Sequence, residues 1–171
     1  MNFEGKVAVI TGSSAGIGAE AAKKITSMGG RVTINYSKSK EAAEEVAHEC
    51  SHLGESPLII KSDIATDEGC KHIIDRAFSE FGAINVLINN AGRTIFADHS
   101  KLDALQRDDF ENIFALNLNS NYELIKHARP HLAKNKKSSI VNISSVAGLR
   151  GLGSSVAYAA SKGALNSMTL A

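Results

Sequence analysis

Short apolar runs alternate along the chain with longer segments whose apolar residues recur at helical spacing. The runs are rich in β-branched residues and predict strands at Lys6 to Ile10, Arg31 to Asn35, Leu58 to Lys61, Val86 to Asn89 and Ile140 to Ile143. The longer segments predict helices at Gly16 to Met28, Lys40 to Leu53, Asp67 to Phe81, Asp108 to Leu132, and from about Val156 onward. Strands that alternate with helices are typical of a parallel sheet covered by helices on both faces. We therefore predict one α/β domain over residues 1–171, built on a doubly wound parallel sheet.

Glycine, proline and polar residues mark the ends of these elements. Glycines follow the first three predicted helices, at Gly29-Gly30, Gly54 and Gly82. Pro130 stands near the end of the fourth helix, where it should kink or end it. Each predicted strand ends in, or soon meets, a polar residue: Thr11, Asn35, Asp63, Asn89 and Ser144. Ligands of open parallel sheets bind at the carboxyl ends of the strands, so we expect the functional site at that edge.

A glycine-rich turn joins the first strand to the first helix, and it reads Thr11-Gly-Ser-Ser-Ala-Gly-Ile-Gly18. Gly12 permits a tight exit from the strand, while Gly16 and Gly18 allow a phosphate and the sheet to approach the helix closely. The free N–H groups and the positive dipole end of the helix would face that phosphate. The spacing differs from the common Gly-x-Gly-x-x-Gly fingerprint, so an ordinary strand-to-helix turn remains an alternative.

Composition and charge narrow the classes of function. The chain has 43% hydrophobic residues, 19 basic and 18 acidic side chains, and a net charge of +1, which favours neither a nucleic-acid nor a membrane surface. Cys50 and Cys70 lack metal-ligand spacing, and we interpret them as free thiols in a reducing compartment. His48 and His52 fit an exposed helix face better than a zinc site, so we predict no metal. No signal peptide or membrane-spanning run is apparent, and we expect a cytoplasmic protein.

A tyrosine followed four residues later by a lysine occurs at Tyr36, Tyr122 and Tyr158. On a helix this spacing places the two side chains on one face, where the ammonium can favour the tyrosinate and make the phenol a better proton donor. Only Tyr158, paired with Lys162, follows a strand that ends in serine, with Ser145 thirteen residues upstream. We therefore select Tyr158 as the candidate proton donor.

Asn117 falls on the apolar stripe of the fourth predicted helix, together with Ile113, Leu124 and Ala128. An unpaired amide there would be costly, so we expect Asn117 to have a buried partner. It could also be a structural residue that ties the helix to a neighbouring strand.

These motifs together resemble the short-chain dehydrogenase/reductase family, and the resemblance covers the whole chain. The matching residues are Thr11 to Gly18, Asn89-Asn-Ala-Gly92, Asn117, Ser145 and Tyr158-Ala-Ala-Ser-Lys162. Within the family the chain is most similar to the 3-oxoacyl-carrier-protein reductase and glucose dehydrogenase group. The resemblance implies a Rossmann-type fold with strand order 3-2-1-4-5, an activity between a carbonyl and an alcohol, and a homo-oligomer assembled through the fourth and last helices.

The family's catalytic roles carry over to four matching residues. Tyr158 would exchange a proton with the substrate oxygen, and Ser145 would hydrogen-bond the same oxygen. Lys162 would hold the nicotinamide ribose and keep Tyr158 acidic, while Asn117 would reach the lysine through a water and complete a proton relay.

The resemblance also implies the cofactor contacts. Asn89 more plausibly braces the sheet than touches a ligand, and Asp63 could instead cap a local turn. The implied contacts are Gly12, Ser14, Gly16, Ile17, Gly18, Tyr36, Ser37, Lys38, Asp63, Ile64, Asn90, Ala91 and Gly92, with Tyr158 and Lys162.

The end of the second strand predicts the choice of cofactor. A carboxylate there would accept hydrogen bonds from a free ribose 2′-hydroxyl, but the residues after Asn35 are Tyr36, Ser37 and Lys38. A hydroxyl and an ammonium suit a 2′-phosphate, so we predict NADP(H) over NAD(H). The alternative is that Lys38 is simply solvated.

The chain departs from the family at its end, because Ala171 falls inside the last predicted helix. The family continues with a further strand, a turn against the nicotinamide, a substrate lid and a last strand. We therefore expect an incomplete sequence or a proteolytic fragment of a longer enzyme, with a natural short isoform as the alternative. The alternative to an active oxidoreductase is a catalytically inactive dinucleotide-binding or dimerisation module. The substrate, beyond a carbonyl or alcohol, is not indicated.

Overall fold

The structure is a computed structural model that describes residues 2–171. A five-stranded parallel sheet forms the centre of the molecule. The strands lie in the order β3-β2-β1-β4-β5, and every neighbouring pair is parallel. The strands are β1 (Val7–Ile10), β2 (Arg31–Tyr36), β3 (Leu58–Lys61), β4 (Val86–Asn89) and β5 (Ser139–Asn142). The predicted α/β class, the number of strands and their order are confirmed.

Seven helices surround the sheet in the described part of the chain. They are α1 (Gly16–Thr26), α2 (Lys40–Leu53), α3 (Asp67–Phe81), α4 (Arg107–Phe114), α5 (Ser120–Leu132), α6 (Ala147–Arg150) and α7 (Val156–Leu170). A 3₁₀ turn at Leu102–Ala104 and the short helix α6 were not predicted.

The helix predicted from Asp108 to Leu132 is present as a continuous helical stretch, but its π-helical segment was not predicted. A π-helical segment at Ala115–Asn119 separates α4 from α5. The wider i→i+5 turn of a π segment inserts one residue into the helical repeat, and such segments are frequent at functional sites. Pro130 does not end α5, which continues to Leu132.

The strands alternate their side chains between two apolar layers. Ala8 and Ile10 of β1 pack with α1 and α2 on one face, whereas Val9 packs with α3 and α5 on the other. All four residues of β1 are fully buried, as expected for a central strand of a parallel sheet. This burial fixes the carboxyl end of β1, and with it the start of the glycine-rich turn.

A polar ladder joins β4, β5 and α7. The Asn89 amide nitrogen donates to Asn142 Oδ1 at 2.8 Å, and the Asn142 amide nitrogen donates to Thr169 Oγ1 at 2.9 Å. Asn89 and Asn142 are register partners in the sheet, so Asn89 braces the sheet as predicted. The ladder ties α7, which carries Tyr158, to the edge of the sheet.

Two further observations concern the described residues 2–171. None of their helices combines the length and the apolar character that a membrane crossing requires.

Cys50 and Cys70 are free thiols, as predicted from their spacing, and both are buried. Burial raises the pKa of both thiols, that of Cys70 to about 12.

Candidate functional site

Two adjoining cavities lie at the carboxyl ends of the strands, where the sequence predicts the site. The first has a volume of about 390 Å³ and lies beside the glycine-rich turn and the ends of β2 and β3. The second, of about 380 Å³, lies between the loop after β4 and helix α7. Asn90 and Gly92 line both cavities, so the two form one continuous cleft.

The first cavity brings together most of the predicted cofactor residues. Ile17, Tyr158 and Lys162 line the second cavity, and Gly16 and Gly18 line neither. Asn35, Ser39, Ser62 and Leu116 also line the first cavity and were not predicted as contacts. The predicted residues in the first cavity are Gly12, Ser14, Tyr36, Ser37, Lys38, Asp63, Ile64, Asn90, Ala91 and Gly92.

The glycines of the turn are required by the backbone itself. Gly12 has φ +60°, and a Cβ there would lie 2.9 Å from Ala91 Cα. Gly16 has φ +57°, a left-handed conformation that favours glycine. At Gly18 a Cβ would lie 2.5 Å from the Asn90 amide nitrogen and 2.8 Å from Gly12 O. Gly18 thus lets α1 approach both the turn and the end of β4.

Asn90 locks the glycine turn against β4. Its side-chain nitrogen donates to Thr11 O and Gly12 O, both at 3.0 Å, and its backbone N–H donates to Thr11 Oγ1 at 3.0 Å. From the other side, Gly12 N donates to Asn35 Oδ1 at 3.0 Å. The turn is therefore held in place before any ligand binds, which lowers the entropic cost of binding.

The start of α1 fits an anionic group. The first N–H groups of a helix have no partner within the helix. The N-cap residue Ala15 supplies no side-chain cap, and no acidic residue lies in the first turn of α1. The positive end of the helix dipole is thus not neutralised by a side chain of its own helix. The described residues fit a dinucleotide pyrophosphate at this end of the cleft.

The far end of the first cavity carries the residues predicted to select the cofactor. Ser37 and Lys38 are exposed and line the cavity directly after β2. Asp63 also lines it, while its Oδ1 accepts a hydrogen bond from Ala65 N at 3.1 Å. Asp63 therefore caps a local turn, which was its alternative role, and still faces the cavity.

Tyr158 and Lys162 meet in the second cavity. They lie one turn apart on α7, and Lys162 Nζ lies 5.8 Å from the centroid of the Tyr158 ring. Lys162 is only 3% exposed, and its Nζ donates to Ile143 O at 2.7 Å. Burial lowers the pKa of Lys162 because it penalises the charged form. Within residues 2–171 no carboxylate forms a salt bridge with this lysine.

The two serines after β5 have different partners. Ser144 lines the second cavity, and its Oγ donates to Lys162 O at 3.3 Å. Ser145 is half-buried and outside the cavity lining, and its Oγ accepts a hydrogen bond from Ala147 N at 3.1 Å. Ser145 thus lies at the start of α6, one residue away from the serine that faces Tyr158.

Asn117 is fully buried in the π-helical segment and has three side-chain hydrogen bonds. Its Oδ1 accepts from Arg93 N at 2.8 Å, and its Nδ2 donates to Arg93 O at 2.9 Å and to Ser161 Oγ at 3.0 Å. Ser161 Oγ in turn donates to Tyr158 O at 2.8 Å. Asn117 therefore clasps the loop after β4 and joins it to the helix that carries Tyr158. Ser161 is the buried partner expected for Asn117, whereas no strand residue is among its side-chain hydrogen-bond partners within residues 2–171.

Sequence reasoning missed several residues of the second cavity. Thr94, Phe96 and Ser154 line it together with Tyr158. Phe96 is 84% exposed and presents an apolar ring to this cavity. Gly151 and Gly153 just before Ser154 were the available signal, since paired glycines indicate an irregular backbone.

One group of three potential metal ligands occurs in the described chain, away from both cavities. Asp67, Glu123 and His127 have ligand atoms within 4.8 Å of one another. The Lys126 ammonium contacts both carboxylates, and His127 Nε2 lies 2.8 Å from Asp67 Oδ1. The hydrogen bond from His127 and the nearby Lys126 ammonium hold the pKa of Asp67 well below its usual value, at about 2. We interpret the group as an ion-pair network between α3 and α5.

Known proteins that are similar to this chain agree with the fold described above. The family model for short chain dehydrogenases matches residues 6–171. The 3-oxoacyl-[acyl-carrier-protein] reductase FabG of Staphylococcus aureus is 32% identical over 164 residues, which cover 96% of this chain and 65% of that protein.

Two solved structures share the fold closely. A short chain dehydrogenase from Burkholderia cenocepacia in complex with NADP is 33% identical with a TM-score of 0.89, and the match covers 96% of this chain and 66% of that one. An NAD⁺-bound xylitol dehydrogenase is 26% identical with a TM-score of 0.91, and the match covers 99% and 64%. The chain thus spans about two thirds of the length of these relatives.

Proposed function

This chain belongs to the short-chain dehydrogenase family, and we propose that it serves an NADP(H)-dependent interconversion of a carbonyl group and an alcohol. One observation carries the proposal. Tyr158 and the buried ammonium of Lys162 share a cavity that continues into the cavity of the glycine-rich turn. A proton donor and a dinucleotide cradle are thereby joined in one cleft.

Tyr158 is the proton donor of the proposed reduction. Lys162 Nζ lies 5.8 Å from the centroid of the Tyr158 ring and forms no salt bridge with a carboxylate in residues 2–171. In its charged form it would stabilise the negative charge left on the phenol oxygen when the proton is transferred. Tyr158 would give its proton to the carbonyl oxygen in reduction and take it back in alcohol oxidation.

A serine hydroxyl would stabilise the charge that develops on the same oxygen. The family resemblance assigns this role to Ser145, whose Oγ accepts a hydrogen bond from Ala147 N and keeps its own proton for donation. Asn117 would help to position this site, because it hydrogen-bonds the backbone of Arg93 and the side chain of Ser161, three residues after Tyr158. We therefore assign Asn117 a positioning role, with the proton relay as a further proposal.

The first cavity would hold the adenosine and pyrophosphate part of the nicotinamide dinucleotide, which supplies the hydride when bound. The N–H groups at the start of α1 would bind the pyrophosphate. Ser37 and Lys38 would bind a 2′-phosphate, because β2 ends without the carboxylate that suits a free 2′-hydroxyl. One solved relative holds NADP and another NAD⁺, so the preference for NADP(H) rests on these side chains.

The cofactor preference is tested by titrating the chain with NADPH and with NADH. A charge-assisted hydrogen bond contributes about 1.5 to 3 kcal/mol, so we expect NADPH to bind about tenfold to a hundredfold more tightly. Lys38→Glu should reverse the preference. Lys40→Glu should change it much less, because Lys40 lies at the start of α2 and is paired with Glu44. Equal affinities of the parent chain for the two cofactors would contradict the prediction.

The reaction is tested by measuring NADPH oxidation with a panel of aldehydes and ketones. Tyr158→Phe removes only the hydroxyl, and we expect turnover to fall by about 100-fold or more, as for the loss of a general acid. Tyr122→Phe is the matched control, because Tyr122 has the same spacing to a lysine but is 58% exposed outside both cavities. Cofactor binding without turnover would favour the alternative of an inactive dinucleotide-binding module.

We also propose that the chain forms a homo-oligomer through α5 and α7. A groove of about 460 Å³ beside these helices is lined by Leu118, Asn119, Tyr122, Glu123, Ala164 and Met168. These are the two helices for which the family resemblance implies assembly. Sedimentation equilibrium should show a dimer or larger species, and monomer alone at micromolar concentration would contradict the proposal.

A further inference from the structure

Two loops face each other across the second cavity, one after β4 and one before α7. The second loop has an unusual backbone, with φ values of +66° at Gly151, +77° at Gly153 and +59° at Ser154. Ser154 is the one non-glycine residue with a positive φ in the described residues 2–171. A left-handed conformation is unfavourable for an L-residue and persists where the surroundings enforce it.

The side chain of Ser154 contacts the other loop. Its Oγ forms a short hydrogen bond with Thr94 Oγ1, and this bond joins the two loops across 60 positions of the sequence. Thr94 Oγ1 also lies 3.4 Å from Ile95 O, which is long for a hydroxyl hydrogen bond. Ser154 is therefore the principal partner of Thr94.

The hydroxyl pair is part of the wall of the second cavity. Thr94 and Ser154 line the same cavity as Tyr158, Lys162 and Phe96. Both residues are only half-buried, so the pair can open without exposing a dry core. The width of the cavity next to Tyr158 therefore depends on whether these two side chains remain together.

We propose that Thr94 and Ser154 form a hydroxyl latch that sets the width of the substrate cavity and so restricts which carbonyl compounds reach Tyr158. The inference rests on the proposed function for the identity of the substrate. A small ketone enters with the latch closed, whereas a bulky ketone binds only when the loops part. The apparent affinity for the bulky ketone is reduced by the small fraction of chains with an open latch.

The size of the effect follows from the strength of one hydrogen bond between neutral groups. Such a bond shifts an equilibrium by about twofold to tenfold. Removing either hydroxyl should raise the affinity for the bulky ketone by this factor and leave the affinity for the small ketone almost unchanged. The double variant should behave like either single variant, since both remove the same interaction.

Limited trypsin digestion tests the latch without any need for turnover. Arg150 is exposed at the end of α6, directly before the loop that the latch holds. We expect cleavage after Arg150, identified by mass spectrometry, to become about twofold to tenfold faster in Thr94→Val, Ser154→Ala and the double variant. Ser100→Ala is the control, because it removes a hydroxyl from the same first loop that bonds only Asp98.

Ser154→Gly separates the latch from the backbone strain. Glycine adopts the positive φ freely, so this variant relieves the strain and still lacks the hydroxyl. If the latch holds the loop, Ser154→Gly should be cleaved as fast as Ser154→Ala. Cleavage as slow as in the parent would show that backbone conformation alone holds the loop, and would overturn the proposal.

Selectivity is measured with cyclohexanone as the small ketone and 2-decalone as the bulky one. Dissociation constants come from saturation-transfer NMR with NADP⁺ present, and kcat/KM values come from NADPH oxidation. The ratio of 2-decalone to cyclohexanone should rise about twofold to tenfold in each latch variant. A parent that binds both ketones without turning them over would refute the proposed function, and the latch would still be decided by the binding ratio. An unchanged ratio, or unchanged cleavage after Arg150, would overturn the latch.

Discussion

Substituting Gly18 by alanine tests whether the close approach of α1 to the ends of β1 and β4 is a structural requirement. In most helices this change is favourable, by about 0.5 to 1 kcal/mol, because alanine loses less backbone entropy than glycine. At Gly18 the added Cβ would lie 2.5 Å from the Asn90 amide nitrogen, 2.8 Å from Gly12 O and 2.9 Å from Ser13 Cα. Two of these three atoms are backbone and cannot rotate away.

The expected cost follows from these contacts. Overpacking by one methyl group costs about 1 to 3 kcal/mol. Displacing Asn90 also weakens its two hydrogen bonds to Thr11 O and Gly12 O, at about 1 kcal/mol each when both are lost. After the helical gain is subtracted, Gly18→Ala should lower the free energy of unfolding by about 1 to 4 kcal/mol. NADPH affinity should fall as well, because the displaced turn lines the cavity proposed to hold the cofactor.

Urea denaturation of the parent and the variant measures this difference, with equal m-values as the check on two-state behaviour. Gly163→Ala is the matched control in α7, since its Cβ would meet only Gly148 O at 3.3 Å. It should stay within about 1 kcal/mol of the parent. A Gly18→Ala chain as stable as the parent, with unchanged NADPH affinity, would refute the close approach of α1 and the turn.

Two further predictions concern groups whose pKa is shifted by burial. Burial raises the pKa of Cys70 to about 12, so iodoacetamide should modify this thiol only at the rate of unfolding; rapid labelling in native buffer would contradict its burial. Burial also lowers the pKa of His131, whose ring packs 4.1 Å from that of Phe78 and whose Nδ1 is buried without a partner. The unfolded chain then binds more protons between the lowered value and the ordinary value of 6.5, so stability should fall as pH drops through this window. Urea midpoints between pH 7.5 and 5 should show a smaller fall for His131→Phe, and equal slopes would contradict the shift.

The sheet and the glycine-rich turn could be predicted because their signals are local in the sequence. A fully apolar run such as Val7 to Ile10 suits only a buried central strand, and Gly12 and Gly16 take positive φ values that few other residues adopt. The same locality explains why ten predicted cofactor residues line one cavity. Each lies within a few residues of a strand end, and parallel strands bring those ends to one edge of the sheet.

The missed features depend on contacts between distant segments. Apolar periodicity did not reveal the π segment at Ala115–Asn119, since one inserted residue barely changes the apolar stripe. Asn117 was predicted to need a buried partner, but its hydrogen bonds to Arg93 and Ser161 come from two other parts of the chain. The bond between Thr94 and Ser154 spans 60 positions and has no sequence signal of its own.

The most direct test of the proposed reaction is a single-turnover transfer of deuterium from NADPH deuterated at the reactive C4 position to an aldehyde or ketone. Deuterium NMR or mass spectrometry then shows whether the label reaches the carbonyl carbon. We expect labelled alcohol with the parent and with Tyr122→Phe, and a rate at least about 100-fold lower with Tyr158→Phe at equal NADPH occupancy. Label transfer that is equally fast in Tyr158→Phe would contradict the assignment of the proton donor, and no transfer by the parent with NADPH bound would contradict the proposed reaction.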